Sequence, residues 1–590
     1  MRKIMAVIAL LGGLAPALVR AADADYDRFD AMVPMSDGVA LDASLYVPKH
    51  PGLARLPLIV RQHGGGSNKD SPFDVKHGLE AVATGRFALL TYSVRGHGNS
   101  GGLFDFFGPR TTQDFSEMLD WVAANHGEQI DTDNVGASGY SQGGGESLLP
   151  AIRDARVKAL TVGNTFADLN YALNPNDCFK FAFATGIFLG AYTQTATLVD
   201  ETLPARWGAT FYTDTEDVSA PGLPSTTNDL SSRSPQTYVG TLVERRVPIF
   251  WTNGWEDQLF PADHAERMLV TLEAAGVPIH YWFASGGHAA GDNFPDEEAQ
   301  REQAMLDWFE QFLNGADRGF SSRPNVDYWQ RASGNPRKPG DWQHFTATDW
   351  PIPDAVSTPL YPHADGSLTA DAAPSSETAT LINDYASVNV ANDAVVHQIA
   401  GAVSGLGDVL DQVPESQNPL DTITYTSAPL TQPVNVVGAP LVTVAQRSTH
   451  KIVQQLDAKV WDLSDAGAQL IWRGATSGNN GSVVSFKLWP NAHEFTIGHQ
   501  VVLTISSVDF PTFKPDVEPW ISTVSLIGTR LDLPVVAAPT SAVQAQAQPQ
   551  QVQSQVQSSQ DTTRMGGAMP ASVLLLLLGI AARRRIAFPL

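Results

Sequence analysis

The chain has one cysteine, Cys178, in 590 residues. No internal disulfide can form, so stability rests on buried cores, and the length is enough for two or three domains. Cys178 sits in Asn-Asp-Cys-Phe-Lys-Phe with no partner motif, which assigns it a structural role rather than that of a nucleophile. Positive charge is also scarce. Lys and Arg number 38 against 62 Asp and Glu, a formal net charge of -24. Such a chain has little with which to neutralise phosphates, so nucleic acid is not an expected partner. Metal-ligand clusters are lacking too. Asp131-Thr132-Asp133-Asn134 is acidic, but it has neither the glycine nor the distal glutamate of a Ca²⁺ loop, and it reads as a solvated turn. No metal and no cofactor is expected, and no fixed-period repeat is present. With 43% hydrophobic and 17% charged residues the chain is globular rather than disordered.

Both ends carry targeting patterns. Met1-Arg2-Lys3 is a basic start, Ile4 to Leu14 an apolar core, and Val19-Arg20-Ala21 supplies small residues for cleavage. Residues 1–21 therefore read as a secretory signal peptide, the apolar run being short for a membrane anchor. At the other end, residues 536–565 are rich in Gln, Ala, Ser and Val and form a flexible linker. Residues 566–590 hold Gly566-Gly567, an apolar run from Ala568 to Ala582, and Arg583-Arg584-Arg585. This tail resembles the Gly-Gly type of bacterial C-terminal sorting signal, which implies cleavage near the glycines at the cell surface; a simple tail anchor is the alternative. An exported bacterial protein follows, at the cell surface, in the outer membrane or outside the cell, with transient membrane attachment through the tail.

Between the ends, two textures alternate. Tyr26 to Pro48 reads as a hairpin turning at Asp37-Gly38. Leu56–Arg61, Phe87–Ser93, Val135–Ser138, Val157–Val162, Pro248–Thr252 and Ile279–Ala284 are short, dense apolar runs of the buried-strand type. Thr111–Ala124, His264–Ala275 and Glu298–Leu313 carry helical spacing. Strands alternating with helices imply an α/β domain built on a parallel sheet, over 22–165 and 247–320. The rhythm breaks over 166–246, which is assigned to a cap insertion. From 321 to 535 short alternating runs such as Val434–Val437, Leu441–Val444, Val483–Phe486 and Val501–Ile505 imply an all-β jelly roll or sandwich.

The chemistry-bearing pattern begins at Gly139-Tyr140-Ser141-Gln142-Gly143, a G-x-S-x-G pentapeptide after an apolar run. Its glycines permit a sharp strand-to-helix turn that lifts a hydroxyl into a pocket. A serine hydroxyl needs a base, and the base needs a carboxylate to hold its tautomer, in the chain order Ser, acid, His. Asp257 follows the strand at 248–252, with Glu256 as the rival carboxylate; His288 follows the strand at 279–284. The oxyanion hole requires two backbone N–H groups. Gln142 supplies one, and Gly64 or Gly65 of His63-Gly64-Gly65-Gly66 supplies the other. His63 and His97 precede the serine, against the required order, and are not assigned as the base.

These residues resemble the X-Pro dipeptidyl-peptidase and cocaine-esterase-like family of α/β-hydrolases. The likeness rests on Ser36–Leu41, on Val94-Arg95-Gly96-His97-Gly98-Asn99-Ser100, on Ser234–Tyr238 and on Trp308–Gly315. It continues through Thr424–Leu430, Val436–Pro440, Gly498–Leu503 and Ile505–Pro511. The resemblance implies a hydrolase with a helical cap and a packed jelly roll. The cocaine-esterase branch has a tyrosine in the loop after the early strand, whose hydroxyl serves the oxyanion hole; here that loop carries glycines, which implies a backbone donor. Many X-Pro peptidases have tyrosine after the nucleophile, where this chain has Gln142. The expected function is a secreted serine hydrolase acting on a small ester, amide or short peptide, an acyl esterase in preference to an X-Pro dipeptidyl aminopeptidase. A peptidase would need an acidic group in the cap for the substrate ammonium, and Asp168 and Asp177 are the candidates. A non-catalytic surface binding protein is the alternative from another class.

Overall fold

The computed structural model describes residues 25–186, 195, 197–213, 224–288, 295–332, 342–383, 421–449, 454–478, 481–510, 512–516 and 518–537. The signal peptide, nearly all of the linker and the C-terminal tail fall outside the described residues.

Among the described residues the hydrolase sheet runs through nine strands: β1 (Tyr26–Pro34), β2 (Ala40–Pro48), β3 (Leu56–Gln62), β4 (Ala88–Tyr92), β5 (Ile130–Tyr140), β6 (Val157–Gly163), β7 (Ile249–Gly254), β8 (Ile279–Ala284) and β9 (Val326–Ala332). Their ladder runs β1-β2-β4-β3-β5-β6-β7-β8-β9, antiparallel at the first two junctions and parallel from β4 onward. β3, β4, β7 and β8 are buried at every position, which is why they read as continuous apolar runs. Helices α1 (Pro72–Ala83), α2 (Pro109–His126) and α3 (Gln142–Arg153) cross between the early strands. α1 was not evident in the sequence. Its buried face mixes Ala81 and Val82 with Asp74, His77 and Gly78, so no apolar stripe marks it. Asp131 to Asn134 lie inside β5 rather than in a turn before it, with Arg55 3.6 Å from Asp131.

The cap holds helices Leu169–Leu173, Phe181–Gly186, Thr202–Thr213, Thr226–Ser232 and Val239–Arg245. Beyond it, the C-terminal domain is a two-layer β structure. Its long strand Trp520–Val536 pairs with Val356–Pro362, Thr378–Asn383, Val434–Gly438 and Leu441–Ser448. The other layer joins Thr422–Ser427, Gln500–Ser506, Leu456–Ser464 and Gly467–Thr476. Leu503, Val460, Val444, Leu531 and their neighbours form the core between them. β9 lies beyond the boundary expected at residue 320; it pairs with Trp342–Ala347 along one edge and, along the other, with β8 at Val326–Tyr328 and with Asn491–Phe495 at Arg331–Ala332. The hydrolase sheet therefore continues into the C-terminal domain.

Candidate active site

Parallel strands end together at one edge of the sheet, and loops leaving those ends converge. Ser141 follows β5 there with φ 56° and ψ −123°, a left-handed conformation for a non-glycine residue. Such strain persists where surrounding structure over-determines it. Ser141 N–H donates to Gly163 O at 2.9 Å, and its carbonyl accepts from Thr165 Oγ1 at 2.8 Å. The flanking glycines are steric necessities: a Cβ on Gly139 would overlap the Gly143 carbonyl, and one on Gly143 would overlap the Gln62 carbonyl. The elbow thus packs directly on the end of β3.

The structure brings Ser141, Asp257 and His288 together. His288 Nε2 lies 2.9 Å from Ser141 Oγ, and His288 Nδ1 lies 2.9 Å from Asp257 Oδ2. A carboxylate only accepts, so the network assigns the proton to Nδ1 and leaves Nε2 to accept from the serine hydroxyl. The other Asp257 oxygen accepts the N–H groups of Leu259 and Phe260, both at 2.9 Å. Asp257 is buried, and Phe260 sets its ring against His288 with centroids 5.4 Å apart. The rival Glu256 turns the other way, onto Arg331 of β9 at 3.0 Å. One residue of shift in the chain sends its carboxylate to the domain seam instead of the base.

Two further groups shape the acid turn. Lys180, buried in the cap, donates to the carbonyls of Gln258 at 2.9 Å and Leu259 at 2.8 Å. Burial pushes its pKa down to about 7. From the C-terminal domain, Arg473 donates to Gln258 Oε1 at 3.0 Å.

Sequence reasoning missed Asn164. It stands at the end of β6 with φ 44°, donates to Gly287 O at 2.9 Å and accepts Gly254 N–H at 2.9 Å. One amide thereby ties the acid strand to the histidine loop. Its signal was its place just past a recognised strand, where a polar residue meets the converging loops. Glu297 was missed as well; it is buried, accepts Ser285 N–H at 3.0 Å, and burial pushes its pKa up to about 7.

Gln142 is buried at the first position of α3, where its N–H has no intrahelical acceptor. Gly64 is half-buried and Gly65 exposed beside the elbow. His63 and His97 are buried with ring centroids 5.0 Å apart, away from Asp257, and burial lowers their pKa values to about 4 and about 3. Asp168 caps the helix Leu169–Leu173 by accepting from Asn170 N and Tyr171 N. Cys178 is buried among Ala475, Trp489 and Phe513, and burial raises its pKa. Among the described residues no group of three or more His, Cys, Asp or Glu is disposed to hold a metal, and no helix is long and apolar enough to cross a membrane.

The fold is that of an α/β-hydrolase, and the chain is a serine hydrolase. Residues 37–290 match the family model of the X-Pro dipeptidyl-peptidase (S15 family), and residues 318–557 match that of the X-Pro dipeptidyl-peptidase C-terminal non-catalytic domain. The cocaine esterase of Rhodococcus sp. is 25% identical, over 82% of this chain and 91% of the esterase. Among solved structures, an aminopeptidase from a marine sediment Thaumarchaeota archaeon superposes with a TM-score of 0.65 at 17% identity, covering 89% of this chain and 99% of the other. An α-amino acid ester hydrolase superposes with a TM-score of 0.65 at 19% identity, covering 88% and 100%. The chain belongs to the X-Pro dipeptidyl-peptidase and cocaine-esterase-like family.

Proposed function

We propose that this chain is an exported serine esterase that hydrolyses a small ester through an acyl-enzyme on Ser141. The observation that carries the reading is the continuous relay from Ser141 Oγ through the His288 ring to Asp257, with 2.9 Å at each step. In it, His288 Nε2 takes the Ser141 proton as Oγ bonds to the acyl carbon, and Asp257 stabilises the imidazolium that results. The N–H groups of Gln142 and of Gly64 or Gly65 hold the developing oxyanion. His288 then returns the proton to the leaving alcohol. Water repeats the sequence on the acyl-enzyme, releasing the acid and restoring Ser141.

The cocaine esterase relative supports an ester over an amide as substrate. Asp168 is engaged as a helix cap, and among the described residues neither it nor Asp177 stands among the contacts of the triad. Comparing a p-nitrophenyl acyl ester with a Gly-Pro p-nitroanilide tests the choice; faster cleavage of the anilide would reverse it. Ser141→Ala should abolish ester hydrolysis and labelling by a fluorophosphonate, and a wild type that does neither would sink the enzyme mechanism. The basic, apolar and small-residue sequence at Met1 to Ala22 supports export. N-terminal sequencing of the mature protein should start near Ala22; a retained Met1 would overturn it.

A further inference from the structure

We infer that the Gly65 N–H is the second oxyanion donor and that His63 is the positioning residue that aims it. The inference rests on the reading of Ser141 as nucleophile and decides between the two glycines that reading leaves open.

His63 follows β3 with its side chain buried. Its Nδ1 lies 2.8 Å from Gly64 O, and its Nε2 lies 3.0 Å from Val94 N. A carbonyl only accepts and a backbone N–H only donates, so the ring is neutral with its proton on Nδ1. Ser67 N–H also donates to Gly64 O, at 3.2 Å. Two donors therefore hold this carbonyl on the histidine side of the loop. The peptide is planar and trans, so the Gly65 N–H of the same unit points to the opposite, open side. There it donates to no acceptor among the described residues. Gly66, at the third position of this Gly64–Ser67 turn, has φ 71°, as a type II turn requires.

The same planarity argues against Gly64. The His63 carbonyl faces Gly143 beneath the elbow, 3.0 Å from where a Cβ on Gly143 would stand. The Gly64 N–H of that peptide unit consequently points away from the elbow. His63 is itself backed by the His97 ring, and His97 by Phe104 with centroids 5.1 Å apart. A packed row of tilted and edge-on rings thus stands behind one hydrogen bond to the oxyanion loop. The chain has no tyrosine in this loop to serve instead.

The test uses the full chain, with kcat and KM for an acyl ester and the affinity for an arylboronic acid, which forms a tetrahedral adduct on serine. Gly65→Pro suits that turn position and removes only the N–H. It should lower kcat about 10²- to 10³-fold, the cost of one oxyanion donor, with KM within about 3-fold and boronate affinity lost in parallel. Gly65→Ala, which keeps the N–H, should retain at least about ten times more kcat than Gly65→Pro. His63→Asn keeps an amide donor near the Nδ1 position, whereas His63→Leu keeps bulk but no donor; the asparagine variant should retain about ten times more kcat at matched melting temperature. An active wild type with Gly65→Pro within about 3-fold of it overturns the inference alone, as does kcat falling equally in the two His63 variants in step with melting temperature. A wild type that neither turns over ester nor reacts with fluorophosphonate overturns the Ser141 reading and this inference together.

Discussion

The hydrolase sheet and the C-terminal β domain use strands in opposite ways. β3, β4, β7 and β8 are buried on both faces, so their side chains are committed to packing and only their ends are free for chemistry. In the C-terminal domain Val483–Lys487 alternates exposed and buried, and Trp520–Val536 does so for most of its length. One face builds a core and the other meets solvent. Ser141, Asn164 and the loops bearing Asp257 and His288 all lie at or beyond the ends of parallel strands, where the chain must turn and polar groups need partners. The C-terminal domain contributes at the seam instead. There Asp509, buried, takes Lys459 at 2.7 Å and Arg473 at 2.8 Å, and Arg473 reaches on to Gln258 beside the acid. A parallel sheet gathers reactive groups at one edge; the neighbouring domain braces that edge.

The comparison breaks most sharply if chemistry and stability fail to separate between the two regions. Asp257→Asn should lower kcat about 10⁴-fold, because an amide allows the wrong histidine tautomer. Its melting temperature should move little, and steady-state kinetics beside a thermal scan check both. Leu503→Ala, in the C-terminal core, should do the reverse. It should cost about 2–5 kcal/mol of folding free energy by urea denaturation, with kcat of the folded fraction retained. A large kcat loss there would mean that the two regions are one cooperative device. The smallest effect sharpens the edge of the hydrolase. Glu117 of α2 accepts from Ser36 in the β1–β2 turn and from Arg110, and its carboxyl pKa is lowered to about 2: burial opposes the shift, and these hydrogen bonds drive it. A depressed carboxyl stabilises above its unfolded pKa and loses that contribution as pH falls from about 4.5 toward about 2. Glu117→Gln should therefore cost under about 1 kcal/mol at pH 7, and the gap from wild type should close with acidification in paired denaturation curves.

Much of this was legible because two periodicities are hard to confuse. Dense apolar runs marked β3, β6 and β8 within a residue or so of their observed limits, since a strand buried on both faces has no polar positions to blur it. Ser141, Asp257 and His288 were legible because each follows such a run in the chain order the mechanism demands. α1 was hidden because its buried face carries Asp74 and His77, whose partners Arg61 of β3 and Glu298, 221 residues further on, lie outside the helix. β9 carries no local mark of which sheet it joins, because its pairing both to β8 and to Asn491–Phe495 of the C-terminal domain is set by packing.

By itself the sequence determined the order of strands and helices and the serine elbow, and it singled out Asp257, with Glu256 as its rival, and His288 as candidate acid and base, because these follow from local pattern and chain order. Tertiary structure alone decided which carboxylate of Glu256-Asp257 faces the histidine, that Asn164 ties two loops together, and which way the Gly64–Gly65 peptide is turned. Those outcomes depend on the direction a side chain or peptide points, and direction is set by partners such as Arg331, Gly287 and His63 that only packing brings within hydrogen-bond reach.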